Sequence, residues 1–515
     1  MSELALKINF EKTEQPKVGK KISETVFETH TEELIIGLCG PIGTNLHYVA
    51  SEISGVLEEK YGYQTKILRL SDLIKEHSSD KNYNGLTKFQ YFNKLIEEGN
   101  ELRKTKGSSI LAELAISQIA CHRELKKEKK ESTEFKTERI CYIIDSIKNK
   151  EELELFRLIY NDIFYFFGAF STVEVREINL EKQQLKKDEI YKLMDRDSGE
   201  EIQFGQKVAD TFIQADFFLR IDQSTSPIIT TRIQRFLSLI FSSEVITPST
   251  HETAMYLASA ASGNSACLSR QVGASLTDVN GEVISVGWND VPKVNGGVYQ
   301  YSEESSKDFR CVNLEGGKCF NDEEKQNIRD QLVSDLIKKG IIQESRKEET
   351  VEIIKNSRIR ELVEFSRAVH AEMLAIIQGG QKAGDKIKNG KLYTTTYPCH
   401  NCARHIVAAG IREVYYIEPY RKSLAIKLHN DSLTEDEEIK DKVRILMFDG
   451  VAPRRYLEFF KMSPNSRKTN GIMNKPNKKT IFPRATISLQ AIPILEKRVV
   501  DNLVEKDVLK VDNEI

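Results

Sequence analysis

In the first half of the chain, short apolar runs alternate with stretches of regular helical apolar spacing. The run Glu33–Cys39 reads as a buried strand, and Gly40-Pro41-Ile42-Gly43 after it reads as a glycine-rich turn. The pattern predicts a helix from about Asn45 to Lys60, a strand over Lys66–Leu70 and a long helix from Ser109 to about Lys130. Ile140–Asp145 reads as a strand ending in an acid, and Asn161–Ala169, with three phenylalanines, as another. Such alternation predicts an α/β domain with a mostly parallel sheet and helices on both faces. Glu181–Gly205 is highly charged and suits either a mobile lid or a solvated helical hairpin. Lys207–Leu219 returns to a helix and a short strand, and the first domain is expected to end within 225–245.

A helix over Thr250–Ser262 opens the second half. Val272–Thr277 and Val283–Trp288 read as paired strands joined at the Asn280-Gly281 turn. Residues 295–355 form a charged insert with a helix near 322–338. The body resumes with a helix around 370, a strand over Leu392–Thr395, a helix after Pro398 and a strand over Glu413–Ile417. The basic stretch Lys461–Lys479 reads as a loop or flexible arm. Three segments are therefore expected: an irregular arm (1–30), a first α/β domain (31–240) and a second domain (245–515) carrying the insert.

Composition narrows the setting. With 515 residues, 40% hydrophobic and 30% charged, the chain is expected to form two or three globular domains. A net charge of −2 argues against a dedicated polyanion binder. No stretch reaches 18 apolar residues, and Met1-Ser2-Glu3-Leu4 lacks the features of a signal peptide, so no membrane association is expected. Eight cysteines do not make a disulfide scaffold, and a reducing, cytoplasmic compartment is expected. Cys311 and Cys319, flanking Gly316-Gly317, leave a weak second metal site open.

The chemistry is concentrated in His370-Ala371-Glu372 and, starting 26 residues past Glu372, Pro398-Cys399-His400-Asn401-Cys402. H-A-E…P-C-x-x-C is the zinc signature of nucleoside, nucleotide and nucleobase deaminases. His370, Cys399 and Cys402 supply three ligands for Zn2+, leaving a fourth position for water made more acidic by the metal. Glu372 stands two positions from the histidine, close enough to exchange protons with that water without ligating. A lone C-x-x-C also fits a structural zinc half-site or a redox pair. No second cysteine pair follows here, and a structural site has no use for Glu372. His400 and His405 suit the metal's surroundings, a cap or the surface equally.

Further stretches carry a resemblance: Arg270-Gln271-Val272-Gly273-Ala274, Gly287-Trp288-Asn289-Asp290-Val291-Pro292, His370–Met373 and Thr394–Ala403. On these the region resembles the deoxycytidylate deaminase family within the cytidine deaminase-like superfamily. The resemblance implies Asn289 against the nucleotide's sugar, Ala371 and the peptide after Glu372 in the wall holding the base, and Arg270 facing a phosphate or neighbouring ribose. A surface ion pair for Arg270 and a turn cap for Asn289 are the competing readings. Over roughly 30–460, Ile143–Lys148, Gly205–Val208, Leu268–Gly273 and Glu418–Ala425 resemble a bacterial family of two-part antiphage proteins. In these a P-loop NTPase/kinase-like parallel-sheet domain is fused to an α/β/α cytidine deaminase-like domain. The resemblance implies deamination of dCTP and dCMP that depletes the deoxycytidine nucleotide pool, assembly as a homo-oligomer such as a hexamer, and in some members restraint by a small RNA. It also implies that Glu418–Leu424 lies near the mouth of the site.

The first domain departs from a standard phosphate loop. Gly40-Pro41-Ile42-Gly43-Thr44-Asn45-Leu46-His47 aligns with G-x-x-x-x-G-K-[ST], but Asn45, Leu46 and His47 replace the last glycine, the lysine and the hydroxyl residue. The backbone of Gly40, Gly43, Thr44 and Asn45 remains a candidate phosphate cradle at a helix N-terminus. Asp145 is the candidate to organise Mg2+, and Arg196 the candidate to descend from a lid. Without the lysine, nucleotide sensing or a structural remnant is expected over phosphoryl transfer. Two alternatives to a deaminase stay open: a nucleotide- or RNA-sensing module, and a bifunctional kinase–deaminase.

Overall fold

The computed structural model describes residues 29–129, 137–199, 208–221, 226–314, 316–419, 423–462, 467–489 and 491–509. All but the last two residues of the expected arm (1–30) and the stretches 205–207 and 420–422 lie outside these residues. The chain divides into two compact units: Met1–Ala215 with Leu219–Ile246 and Met462–Ile515, and Asp216–Phe218 with Thr247–Lys461.

The first unit contains β1 (Leu34–Cys39), α1 (Leu46–Tyr61), β2 (Gln64–Arg69), α2 (Lys88–Lys106), α3 (Ile110–Lys129), β3 (Ile140–Asp145), β4 (Phe164–Phe170), α4 (Val173–Glu181), α5 (Lys187–Gly199) and the second half of β5 (Phe217–Arg220), whose Phe217 and Phe218 are assigned to the second unit. β1 pairs in parallel with β3 and β4, and β2 in parallel with β3, giving the order β5-β4-β1-β3-β2. Every residue of β1, β3 and β4 is buried, which is why these strands read as unbroken apolar runs. Asn45 caps α1 by accepting the Tyr48 amide at 3.2 Å. The charged stretch after residue 181 takes the helical-hairpin form over its described residues. α4 and α5 form a hairpin whose Leu180, Leu185, Ile190 and Leu193 pack with Phe89 and Phe92 of the α2 region. One apolar stripe is enough to anchor a helix that is otherwise polar.

The second unit contains α6 (Thr250–Ser262), β6 (Gly273–Thr277), β7 (Val283–Trp288), α7 (Phe320–Lys338), α8 (Ala371–Ala383), β8 (Lys391–Thr396), α9 (His400–Ala408), β9 (Glu413–Glu418), β10 (Leu433–Thr434) and β11 (Val443–Met447). Its sheet runs β10-β11-β9-β8-β6-β7, with β6 antiparallel to both neighbours and the rest parallel. Two glycines set the layers. A Cβ on Gly273 would lie 2.6 Å from the Ser262 nitrogen of α6, and one on Gly287 would lie 2.6 Å from the Ala375 nitrogen of α8. Gly287 pairs with Ala274, not Gly273, so the two close approaches are on opposite faces. α6 and α8 therefore sandwich the sheet. The insert supplies α7 and a second helix, Lys347–Lys355.

The expectation of one domain over 245–515 is corrected at its end. α10 (Ile492–Glu505) belongs to the first unit. Its Ile492 and Leu503 are fully buried, and Asn502 and Lys506 bond Glu113 of α3 at 2.9 and 2.8 Å. The stretch 467–479 forms a short hairpin, Lys468–Thr469 with Ile472–Met473, rather than a featureless arm.

Candidate metal and substrate site

Two helix starts and one strand end build the site. His370 is the N-cap residue of α8 and Cys399 that of α9, with Cys402 in the first turn of α9. β8 delivers Tyr397, whose amide donates to the Glu418 carbonyl at 2.8 Å, and the Pro398 carbonyl accepts the Ser423 hydroxyl at 2.7 Å. The His370 Nδ1 lies 3.3 Å from each of the Cys399 and Cys402 sulfurs. Tetrahedral zinc with ordinary Zn–N and Zn–S bonds separates such atoms by about 3.5 Å, so the three ligand atoms fit that ion. Among the described residues, this is the group of His, Cys, Asp or Glu side chains close enough to hold a metal. Cys319 instead meets the Ser269 hydroxyl at 3.3 Å, and Cys311 lies 3.9 Å from Arg367. Among the described residues, Cys311 and Cys319 do not join a group of three ligands close enough to hold a metal.

Electrostatics favour a thiolate. The hydrogen bond from Cys402, followed by the one to His370, pulls the Cys399 thiol down to about 4. Cys402 moves the other way because Cys399 takes the anionic share of the pair. The N-terminus of α9, on which both cysteines sit, adds to this preference. His370 is pushed up to about 9 by its bond to Cys399. Glu372 is buried, and burial pushes its carboxyl up to about 7. It sits in the first turn of α8, within reach of Cys402. His400 leans toward Glu364 at 3.6 Å, and His405 bonds the Asn401 carbonyl at 2.7 Å, so neither joins the ligand group.

A cavity of about 540 Å³ opens over these groups. Ala371, Arg270 and Asn289 line it together with His370, Glu372 and Cys399. Asn289 also has a structural duty: it accepts the Val272 amide at 2.7 Å and donates to the Arg270 carbonyl at 2.8 Å. Arg270 is half-exposed and ion-paired with Glu418, which places Glu418 at the cavity's edge. Sequence reasoning missed Asn321, Asp322 and Lys325 of α7 and Arg360, all of which line the same cavity. Their only signal was the charge of the insert, which carries no spacing.

The glycine-rich loop of the first unit differs from its expectation. Gly40, Gly43, Thr44 and Asn45 line a cavity of about 510 Å³ with Ser146, Lys148 and Lys182. The Ile42 amide is already donated to the Asp197 carboxylate at 2.6 Å, and Lys148 pairs with that carboxylate. Arg176 and Asn179 cover the Ile42 and Gly43 carbonyls at 2.8 and 3.0 Å. Asp145 is bonded by His47 and by the Ser146 hydroxyl rather than left open for an ion. Arg196 turns away to Asn93 and Glu97 of α2, at 2.6 and 3.3 Å; its neighbour Asp197 is the residue that reaches the loop.

Comparison with known proteins agrees with this geometry. Residues 248–418 match the family profile of the cytidine and deoxycytidylate deaminase zinc-binding region. ComE operon protein 2 of Bacillus subtilis (strain 168) is 45% identical over 56 residues, 11% of this chain, and the chain spans 29% of that protein. The deoxycytidylate deaminase of Enterobacteria phage T4 is 28% identical over 177 residues, covering 33% of this chain and 79% of the phage protein. A crystal structure of the dCMP deaminase of cyanophage S-TIM5 with dCMP and dUMP aligns over 39% of this chain and 99% of its own, at 21% identity and a TM-score of 0.23. No helix among the described residues is long and apolar enough to cross a membrane. The second unit thus carries a zinc-binding, deaminase-like region.

Proposed function

We propose that this region hydrolytically deaminates deoxycytidine nucleotides, converting dCTP or dCMP to the deoxyuridine nucleotide and ammonia. The single observation that carries the reading is the convergence of His370, Cys399 and Cys402 beside the buried carboxyl of Glu372. His370, Cys399 and Cys402 would hold zinc, which supplies a Lewis acid that makes a water nucleophilic near neutral pH. Glu372 takes a proton from that water and delivers it to N3 of the cytosine as oxygen adds at C4. The same carboxyl then carries a proton to the departing amine, so that ammonia leaves and the C4 carbonyl forms. Ala371 and Asn289 shape the wall around base and sugar, and Arg270 faces the phosphate end.

The decisive experiment incubates the zinc-loaded protein with dCTP, dCMP, dCDP, CTP and cytidine and identifies products by mass. Deoxyuridine nucleotides are expected. Full activity in Glu372→Ala would sink the mechanism.

The first unit is read as a P-loop-kinase-like domain turned to regulation. Support comes from the cavity beside Gly40–Asn45 and from the self-occupied loop, in which Asp197 stands where a phosphate would. ATP with Mg2+ should yield no phosphoryl transfer to nucleotides, and transfer would restore the kinase–deaminase alternative. A cytoplasmic homo-oligomer, plausible as a hexamer, restrained by a small RNA and draining deoxycytidine nucleotides during phage infection, is the setting proposed from the resemblance. Mass measurement in solution and RNA retention after substitution of the basic residues of Lys461–Lys479 test those two parts.

A further inference from the structure

The insert between β7 and α8 contributes charge to the substrate cavity that deamination itself does not require. Lys325 comes from α7 and Arg360 from the turn Arg358–Glu361, and both line the cavity that holds Glu372. Arg270 enters from the segment before β6. Three cations from three separate segments thus face one cavity. Base and sugar of a deoxycytidine nucleotide are neutral, so only its phosphates call for them.

Two of the three cations, Lys325 and Arg270, are held in place. The Lys325 ammonium donates to the Arg360 carbonyl at 3.0 Å and lies 3.7 Å from Asp322, while Arg270 pairs with Glu418. These carboxylates fix side chains that would otherwise wander, at positions where an incoming phosphate can take them over. The wall holds a further prepared group. Asn321 is only 8% exposed, and its Nδ2 donates to the Leu362 carbonyl at 3.1 Å. Its Oδ1 is buried with no hydrogen-bond partner. A buried acceptor left in this state costs free energy unless a ligand donor such as a sugar hydroxyl satisfies it. The cavity's 540 Å³ lies within the range that encloses a small-molecule ligand.

We propose that the insert is a polyphosphate clamp: Lys325 and Arg360, with Arg270, hold the distal phosphates of a deoxycytidine triphosphate and set its preference over the monophosphate. This rests on the deaminase reading for the identity of the base, but not for the clamp's charge. A monophosphate carries about −1.5 to −2 near neutral pH, so three cations exceed its charge and match the higher charge of a triphosphate better.

The test measures binding apart from turnover. Calorimetry on the zinc-loaded full chain carrying Glu372→Ala compares dCTP, dCMP and deoxycytidine, alone and with Lys325→Met, Arg360→Met or Lys325→Arg added. The ratio of dCTP to deoxycytidine affinity should fall about tenfold or more for each methionine variant. Lys325→Arg should recover most of it, and the dCTP affinity should fall with added salt more steeply before than after substitution. An equal loss for all three ligands, or no change in the ratio, overturns the clamp. Clamp-dependent dCTP binding by a chain whose wild type deaminates nothing would keep the clamp and remove the deaminase reading. Turnover of dCTP with a ratio indifferent to Lys325 and Arg360 would do the reverse.

Discussion

Arg123 and Glu496 lie 373 positions apart and form a buried ion pair, with Nε 3.1 Å from the carboxylate. The same guanidinium bonds Glu33, and the Tyr160 hydroxyl donates to Glu496 at 2.9 Å. One arginine therefore ties α3 and the strand-leading segment to α10. Replacing it by methionine leaves two buried carboxylates without their cation, an effect worth about 3–5 kcal/mol in comparable sites. Arg123→Met is expected to lower the urea midpoint of the first unit accordingly. Burial already raises the Glu496 carboxyl while Arg123 holds it down, so loss of the arginine raises it further. A carboxyl raised in the folded state favours folding when protonated, so the deficit should shrink as pH falls toward the ordinary carboxyl value of 4.5. An equal deficit at neutral and acid pH would contradict this account.

Metal and proton roles separate by substitution. Glu372→Gln keeps the buried shape and leaves His370, Cys399 and Cys402 intact, so zinc should stay near one per chain in metal analysis. Deamination should fall by about 10²–10⁴, the usual share of a positioned acid–base group. Cys402→Ala removes a ligand and should abolish both zinc and activity. Chelation of the wild type should lower its melting temperature, because a bound metal stabilises only the folded unit. Loss of zinc from Glu372→Gln would make Glu372 a ligand and force a different mechanism.

The side-chain pair of His47 and Asp145 in the first unit carries a pH dependence. The His47 imidazole is raised above its ordinary 6.5, first by its bond to Asp145, with Arg69 opposing and Asp72 assisting. A base raised in the folded state contributes stability that is fully present below its unfolded value and is lost as pH rises through the folded one. Wild type should therefore exceed His47→Gln in melting temperature at pH 6 and lose that margin above the folded value. The margin will be small, because the imidazole is 59% exposed and solvent screens the pair. A margin that grows with pH would refute the pairing.

What the sequence reveals depends on the range of the forces involved. The strand Ile140–Asp145 and the helix Thr250–Ser262 are legible to the residue, because burial pattern and the Ser249 cap are local. His370, Glu372, Cys399 and Cys402 are legible because metal chemistry allows few residue types and spacings. Local pattern does not reveal which unit α10 joins, because the partners that place it, Arg123 and Glu113, sit far away in sequence. Asp197 and Lys148 were missed for the same reason: their pairing at the glycine-rich loop spans 49 positions and leaves no periodic trace. Lys325 looks like an ordinary member of the charged insert, and Arg360 of the stretch after it, until the fold brings both to the cavity that His370 lines.

Gly287 offers a last test of how the sheet positions the metal ligands. It sits on β7 against the start of α8, and a Cβ there would lie 2.6 Å from the Ala375 nitrogen and 3.1 Å from its α-carbon. Both neighbours are backbone atoms of the helix that begins at His370, so they cannot swing aside as a side chain would. Gly287→Ala must push α8 away from the sheet, and His370 moves with it. The expected result is a destabilised second unit, by the 1–3 kcal/mol typical of overpacking, together with weaker zinc retention in a chelator competition. Gly380→Ala, on the same helix but with its nearest neighbour, the Ile387 side chain, 4.0 Å away, is the control and should leave both nearly as they were. Equal zinc retention in Gly287→Ala and Gly380→Ala would show that the ligand geometry does not depend on this helix–strand approach.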